Sequence, residues 1–251
     1  MAPTSHTCVK YKVLVTGGGP FDDYKVDNPA WLAVRTLHEK VITTTPPPTR
    51  RKAESIHITA LQIPVVYTAV LDIFPGLHAA PPVLPPALTS TAPPSPDKER
   101  PFDLIIHVGV GRNGPLRAER LAHKTGYDLP DYEGRRGPLV AGGDGEGGDM
   151  RGFGPPRYGD EFADELFTSI DVEALVGELA SGIDPVPIEP SSDAGRYLCD
   201  FMFYASLAEA QRAGRGTPVL FVHCPPVGRE MNTSEVAEGI RRILAHVCGR
   251  F

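Results

Sequence analysis

Two short apolar runs limit most strongly what this chain can fold into. Residues 102–110 read FDLIIHVGV and residues 218–224 read PVLFVHC. Short runs that are apolar at nearly every position are typical of strands buried on both faces of a sheet. Because helices must then cover both faces, we expect an α/β fold with three layers, α/β/α, around a mostly parallel or mixed sheet.

The first half of the chain repeats this alternation of strand and helix signals. Residues 11–16 (YKVLVT) predict a strand, and Asn28 opens an amphipathic stretch that reaches Leu37. Residues 55–63 alternate as a second strand would, and the apolar residues 65–74 follow them. We find no internal repeat, so the elements belong to one layered fold and not to a solenoid.

The last third of the chain has the clearest boundaries. The predicted elements are a helix over residues 171–179, a strand over 185–188, a helix over about 194–213, a strand over 218–224 and a helix that ends near Cys248. Ser191, Ser192 and Asp193 are N-cap candidates for the second helix, and Asn232 or Thr233 for the third.

Three segments interrupt these signals, and we interpret them as surface insertions in a single domain over residues 1–251. Residues 43–52 (TTTPPPTRRK) have no periodicity, and residues 79–100 contain Pro-Pro pairs that resist a helix. Residues 135–160 carry the run GGDGEGG. Such a run is typical either of a mobile loop over a site or of a disordered bulge, and the sequence leaves that choice open.

Charge and cysteine content exclude several classes of protein. The net charge is −6, without a long run of Lys and Arg, so nucleic acid is not an expected partner. No stretch of about 18 apolar residues occurs, and the first residues do not resemble a signal peptide, so we expect a cytoplasmic protein without membrane contact. The four cysteines lack C-x-x-C spacing, which favours free thiols.

Cys199 falls near the start of the helix predicted over residues 194–213. Unpaired backbone N–H groups and the positive end of the helix dipole favour a thiolate there. They can lower the pKa of a thiol from near 8.5 into roughly the 3.5–7.5 range. This position predicts a reactive nucleophile. The alternative is a small buried hydrophobe between Leu198 and Phe201, which is how most free cysteines behave.

His223 ends the strand that follows this helix. The helix descends about 1.5 Å per residue and the strand climbs back at about 3.3 Å per residue, so His223 returns to the level of Cys199. If the strand is parallel in the sheet, both residues share the edge where open α/β sheets bind ligands. Cys224 is the rival thiol, but its side chain points to the opposite face. The alternative for His223 is a strand-end histidine bonded to a loop.

A cysteine and histidine pair needs a third group that orients the imidazole. Glu119 is the candidate we prefer, because it follows shortly after the strand that ends at Val110 and can reach the same edge of the sheet. The alternative is a solvated acid paired with Arg117 or Arg120.

Four groups of residues together resemble the pyroglutamyl peptidase type I family, whose members are cysteine peptidases that remove an N-terminal pyroglutamyl residue. They span nearly the whole chain, and the last two are the most specific. They are residues 13–21 with 28–31, residues 107–111 with 119–123 and 126–127, residues 193–201 (DAGRYLCDF) with 203–204, and residues 221–226 (FVHCPP). The resemblance implies a phosphorylase/hydrolase-like fold.

The resemblance also implies a role for each matched residue. Cys199 becomes the nucleophile, His223 the general base and later the general acid, and Glu119 the residue that orients the imidazole. Residues expected to bind substrate are Phe21, Gly18 and Tyr197, with Phe21 against the lactam ring and Gly18 where the family often has a second aromatic residue. The expected partners are N-terminally pyroglutamylated peptides, and no metal or cofactor is implied. A homo-oligomer stays open.

Two other functions fit the same residues. A cysteine hydrolase on this fold could prefer a different N-terminal group, because Gly18 removes part of the aromatic wall. A non-enzymatic thiol sensor or binding module could keep the fold and use Cys199 as a low-pKa thiol. Alkylation of Cys199 that requires His223, without turnover of any blocked peptide, would favour the sensor.

Overall fold

The computed structural model describes residues 9–22, 24–26, 28–47, 49, 52–85, 99–140, 150–182, 184–226 and 228–251. Within these residues the strands are β1 (Tyr11–Gly18), β2 (Val41–Thr43), β3 (Ser55–Ile63), β4 (Leu104–Val110), β5 (Leu116–Glu119), β6 (Leu121–His123), β7 (Glu165–Phe167), β8 (Ile188–Ser191) and β9 (Val219–Cys224). One sheet has the order β2-β3-β1-β4-β9-β5-β8, and β6 pairs with β7 in a separate small sheet.

The larger sheet is mixed, as the sequence predicts. Strands β3, β1, β4 and β9 run parallel at its centre. At one edge β2 is antiparallel to β3. On the other side β5 is antiparallel to β9 and parallel to β8. The most apolar strands lie at the centre because their side chains are covered on both faces.

Helices cover both faces of this sheet and complete the three predicted layers. They are α1 (Pro29–Val34), extended by a 3₁₀ turn over Arg35–Leu37, α2 (Tyr67–Leu77), α3 (Val172–Ala180), α4 (Leu198–Ala213) and α5 (Thr233–Cys248). Helices α1, α3 and α5 pack on one face, and α2 and α4 pack on the other. In the described part of the chain, no helix combines the length and apolar character that a bilayer span needs.

Alternation along β9 assigns its side chains to the two layers. Val222 and Cys224 are buried in the core beneath α1 and α5, whereas Phe221 packs with α2 and α4. His223 therefore faces α4, and Cys224 points away from it. This confirms the expectation that Cys224 does not share the imidazole. Cys199, Cys224 and Cys248 are free thiols, and Cys8 lies outside the described residues.

The ends of α4 and α5 differ in how well the sequence predicts them. Asn232, one of the two predicted N-cap candidates, caps α5, and Glu235 completes a capping box that was not predicted. The predicted start of α4 near residue 194 is wrong, because the helix begins at Leu198. Asp193 instead accepts a hydrogen bond from the N–H of Gly195, whose φ of +82° is incompatible with a right-handed helix.

Two further boundaries are corrected. The strand predicted over residues 185–188 is β8, Ile188–Ser191, so Ser191 belongs to a strand and does not cap α4. The segment 43–52 begins inside β2, an edge strand of three residues that is too short for a periodic signal. The rest of that segment connects β2 to β3, which are antiparallel neighbours.

The segment 135–160 is only partly a surface insertion. Residues 141–149, which hold most of its glycines, lie outside the described residues, as do residues 86–98 of the Pro-rich segment. Phe153 and Tyr158, however, are only 2% exposed and belong to the core on the α2 and α4 face. Phe153 stacks on Phe201 of α4, with ring centroids 4.2 Å apart. Aromatic packing therefore overrides the loop-like composition of residues 150–160.

Candidate active site

Cys199 is the second residue of α4. The N-cap residue, Tyr197, provides no side-chain hydrogen bond to the first turn of the helix. Unpaired N–H groups and the positive end of the dipole therefore surround the Cys199 thiol more closely than the predicted helix start implied. The side chain is partly buried and borders the core on the α2 and α4 face, so the thiol is not enclosed within that core.

His223 and Glu119 form a buried ion pair on the face that α4 covers. Nδ1 of His223 lies 2.7 Å from Oε1 of Glu119, and the two residues are 6% and 0% exposed. The alternative of a solvated Glu119 is wrong, because this carboxylate is fully buried. Arg120 pairs with Glu173 instead.

The route by which Glu119 reaches His223 differs from the expected one. Glu119 was expected at the carboxyl edge of the sheet, shortly after β4, but it does not lie at that edge itself. It lies in β5, which is antiparallel to β9, directly opposite Phe221 and two residues from the level of His223. Opposed side chains of an antiparallel pair share one face, and Phe221 and His223 share a face of β9. Glu119 therefore lies on the same face as the imidazole, two residues away from it along β9.

The protonation state of His223 follows from its neighbours. Burial by itself would lower the pKa of the imidazole, but the Cys199 sulfur and the Glu119 carboxylate raise it to about 9. Opposite charges nearby favour the charged form. The raised pKa favours the imidazolium at neutral pH, which directs one N–H to Glu119 and the other towards Cys199.

Gly109 of β4 allows the first turn of α4 to pack closely against the sheet. It pairs with His223 in the β4–β9 register. A β-carbon at this position would lie 2.8 Å from Sγ of Cys199 and 2.7 Å from Cζ of Phe221, closer than side-chain packing allows. Gly109 was not predicted as a site residue, although a glycine inside an apolar strand is a signal of close approach.

Asp200 is a second residue that the sequence analysis missed. It follows Cys199 and is fully buried. Its carboxylate accepts hydrogen bonds from the N–H of His123 at 3.2 Å and from the hydroxyl of Tyr127 at 2.9 Å. These bonds fix the first turn of α4 to β6, and burial raises the pKa of the Asp200 carboxyl.

Two of the residues expected to bind substrate, Tyr197 and Phe21, are aromatic. Tyr197 is partly buried, and its hydroxyl donates a hydrogen bond to the carbonyl oxygen of Pro130 at 3.1 Å. Phe21 follows β1 and packs against Tyr24, with ring centroids 5.4 Å apart. Phe21, Tyr197 and Cys199 all border the same aromatic core cluster.

Gly18 is the last residue of β1, and a neighbouring side chain fills the space beside it. A β-carbon there would lie 2.9 Å from Nδ2 of Asn28 and 3.7 Å from Cγ2 of Val65. The Asn28 amide also donates a hydrogen bond to the carbonyl oxygen of Gly19 at 2.8 Å. The side chain of Asn28 therefore occupies the space that a larger residue at position 18 would need. Contact between Gly18 and substrate stays a prediction.

A cleft of about 570 Å³ opens beside Cys199 and His223. It lies on the β5 and β8 side of the sheet and is lined on one wall by Gly111, Arg112 and Arg117 and on the other by residues 190–195. Among the described residues, no three His, Cys, Asp or Glu side chains are grouped closely enough to hold a metal ion.

A thiol, an imidazole and a buried carboxylate in this order form the type of site that cysteine hydrolases use. Known proteins of similar sequence narrow this class. The chain is 30% identical to pyroglutamyl-peptidase 1 of Mus musculus over 244 residues, which is 94% of this chain and 90% of that protein. It is 27% identical to pyrrolidone-carboxylate peptidase of Thermococcus kodakarensis over 218 residues, or 85% of this chain and 81% of that protein.

The fold of this chain is also similar to that of solved pyroglutamyl peptidase structures. The structure of pyroglutamyl peptidase I from Bacillus amyloliquefaciens has a TM-score of 0.67 and 20% identity, and the match covers 96% of this chain and 98% of that one. No family model matches the chain. From its similarity to the curated relatives, the chain belongs to the pyroglutamyl peptidase I family, as its motifs predict.

Proposed function

We propose that this chain hydrolyses the amide bond after an N-terminal pyroglutamyl residue, with Cys199 as nucleophile, His223 as base and acid, and Glu119 as the group that orients His223. The observation that carries this proposal is the 2.7 Å contact between His223 and Glu119 beneath a cysteine in the first turn of α4. The names of the curated relatives supply the substrate class.

In the first step the Cys199 thiolate attacks the carbonyl carbon of the pyroglutamyl residue, and the carbonyl oxygen takes the negative charge. Unpaired N–H groups of the first turn of α4 are suitable donors for this oxyanion. The C–N bond then breaks as the His223 imidazolium gives its proton to the leaving amine. An acyl thioester on Cys199 and a neutral His223 are the result.

In the second step His223 takes a proton from a water molecule whose oxygen attacks the thioester carbon. The C–S bond breaks, pyroglutamate leaves, and the thiolate and imidazolium are restored. Glu119 keeps the imidazole in one orientation during both transfers, and its negative charge stabilises the imidazolium. A reduced thiol is essential to this cycle, which supports a cytoplasmic location.

The lactam ring is small, flat and uncharged, so an aromatic wall suits it. Phe21, which follows β1 and packs on Tyr24, is suited to form such a wall. Tyr197 borders the nucleophile from the N-cap of α4, where its ring packs edge-on against Tyr67 with centroids 6.4 Å apart. Contacts of this kind recognise shape more than charge.

The experiment is release of a fluorophore from a pyroglutamyl amide by the purified full chain. We expect turnover that Cys199→Ser and His223→Ala abolish. Cys224→Ala is the matched control, because it removes a neighbouring thiol that faces the opposite side of the sheet, and it should keep most of the activity. Full activity in Cys199→Ser would contradict the proposal, as would a wild-type chain that cleaves no pyroglutamyl substrate.

A further inference from the structure

The order of strands divides the site into two sides. Phe21 follows β1, whereas His223 lies in β9, and β4 separates these two strands. Since His223 gives its proton to the leaving amine, the residue after pyroglutamate must lie beside His223, away from the Phe21 wall. The cleft lined by Arg112 and Arg117 occupies that side.

Arg117 stands directly beside His223 in this cleft. The two residues are opposed in the antiparallel β5–β9 pair, so their side chains leave the sheet on the same face. Gly111 makes room for the arginine. A β-carbon on Gly111 would collide with the Arg117 guanidinium on one side and would lie 3.0 Å from Cβ of His223 on the other.

The Arg117 guanidinium is buried but poorly satisfied. Arg117 is 5% exposed, and its one hydrogen bond within the described residues is a long one, 3.4 Å, to the carbonyl oxygen of Arg112. No carboxylate in the described part of the chain lies within ion-pair distance of it, although Glu119 and Glu189 act on its charge from farther away. A guanidinium has five N–H donors, and those of Arg117 without a protein partner are not among the fully buried unpaired atoms of the described residues, so they are open to the cleft.

We propose that Arg117 binds a carboxylate on the residue that follows pyroglutamate, and that this contact makes the leaving residue a determinant of specificity. The inference rests on the proposed function and adds a subsite to it. A planar guanidinium matches a carboxylate through two parallel hydrogen bonds. The carboxylate has two sources, the C-terminal group of a dipeptide or an acidic side chain in a longer peptide.

The other charges of the cleft agree with this assignment. Arg112 is exposed on the same wall and adds positive charge at the rim. Asp193 lies on the opposite wall, but its carboxylate already accepts a hydrogen bond from Gly195 and pairs with Arg196 at 3.5 Å. Arg117 is thus the charged side chain beside His223 whose N–H donors are open to a ligand in the cleft.

The test compares two matched pairs of substrates by release of pyroglutamate. Pyroglutamyl-alanine against its C-terminal amide isolates the α-carboxylate, and pyroglutamyl-glutamate amide against pyroglutamyl-glutamine amide isolates the side chain. We expect the wild-type chain to favour the anionic member of at least one pair by about tenfold or more in kcat/KM, because hydrogen bonds to charged groups have that strength. The pair that shows the preference identifies the source.

In Arg117→Gln that preference should disappear, mostly through a higher KM for the anionic substrate. Cleavage of a pyroglutamyl amide with a neutral fluorophore measures any effect of this substitution on the catalytic groups, and the loss of preference is judged relative to it. Arg241→Gln, an exposed arginine on α5 paired with Glu238, controls for the change in net charge and should keep the preference. Arg117→Lys should retain part of it, because a lysine keeps the charge but loses the planar fork.

Two results would overturn the subsite. One is a wild-type chain that cleaves the neutral fluorogenic amide but does not discriminate within either pair, an outcome that does not depend on how any variant folds. The other is an equal loss of kcat on all substrates in Arg117→Gln, which would make Arg117 a support for Glu119. Failure to cleave any pyroglutamyl substrate would instead overturn the proposed function and the subsite with it.

Discussion

Two buried histidines lie on the same face of the sheet but differ in protonation, because folding lowers the pKa of one and raises the pKa of the other. His107 in β4 and His223 in β9 both contact Phe221, with ring centroids 6.3 Å and 4.9 Å from it. Burial lowers the pKa of His107 to about 3, with a smaller effect from His78. Burial would also lower the pKa of His223, yet its neighbours raise it to about 9.

The difference lies in one carboxylate and one thiol. Among the described residues, the hydrogen-bond partner of His107 is the hydroxyl of Thr16, 2.7 Å from Nδ1, and the ring stacks on Phe74 with centroids 5.2 Å apart. His223 has Glu119 on one side and Cys199 on the other. Burial among apolar side chains keeps a histidine neutral. The neighbouring Glu119 carboxylate and Cys199 sulfur, and not burial, therefore make His223 suited to acid and base chemistry.

The largest effect should come from removing the carboxylate. Glu119→Gln keeps the size of the side chain but removes its charge, so the pKa of His223 should fall towards the behaviour of His107. We expect kcat on a fluorogenic pyroglutamyl amide to fall about 100-fold or more, which is the usual contribution of general acid and base catalysis. Alkylation of Cys199 by iodoacetamide should slow as well, because the imidazolium that stabilises the thiolate is lost.

Glu173→Gln is the matched control for that variant. Glu173 is exposed and pairs with Arg120 on the far side of β5, so the same change of charge there should leave kcat nearly unchanged. A Glu119→Gln variant that kept more than a tenth of the wild-type kcat would mean that the thiolate alone maintains the imidazolium.

Local signals explain how much of this site the sequence could predict. Cys199, His223 and the Asn232 cap were found because a helix start, a strand end and an N-cap residue each depend on a few neighbouring residues in the sequence. The direction of β5 was not found, because antiparallel pairing with β9 depends on residues more than 100 positions apart in the chain. Glu119 was therefore chosen correctly as a partner of His223 but by a wrong route.

Side chains whose role depends on tertiary contacts were missed altogether. Phe153 and Tyr158 lie in a segment with the composition of a loop. They are buried because they pack in the same core cluster as the side chains of α4. Arg117 could not be told from a solvated arginine without the β5–β9 register that sets it beside His223. Sequence patterns report local geometry, whereas burial of a charge is a property of the assembled fold.

A smaller effect is the loss of activity at high pH. Because His223 must be protonated to donate to the leaving amine, kcat/KM should fall about tenfold per pH unit above the pKa of about 9. The measurement is a pH profile with the fluorogenic amide, corrected for spontaneous hydrolysis. The profile of the Arg241→Gln variant should coincide with that of the wild type. A descending limb centred near 6.5, the ordinary histidine value, would mean that Glu119 and Cys199 do not hold the proton.

The smallest effect concerns His107 and appears in stability. A histidine whose pKa is lowered by folding contributes stability that is complete above its unfolded pKa of about 6.5 and lost as the pH falls through the folded value. Between pH 7 and pH 5, His107 becomes protonated in the unfolded chain but stays neutral in the folded chain. This difference lowers the free energy of unfolding by on the order of 2 kcal/mol. His78, with a pKa lowered to about 4, adds to this loss.

Urea unfolding of His107→Gln at these two pH values measures the effect. The glutamine amide can keep a hydrogen bond to Thr16 but cannot titrate, so the variant should lose less free energy of unfolding between pH 7 and pH 5 than the wild type. His223 acts in the opposite direction, because its raised pKa gives stability that is present below 6.5 and lost as the pH rises through 9. His223→Gln should therefore leave the acid-side loss in place. An unchanged pH dependence in His107→Gln would show that this histidine is not held neutral, and the contrast with His223 would fail.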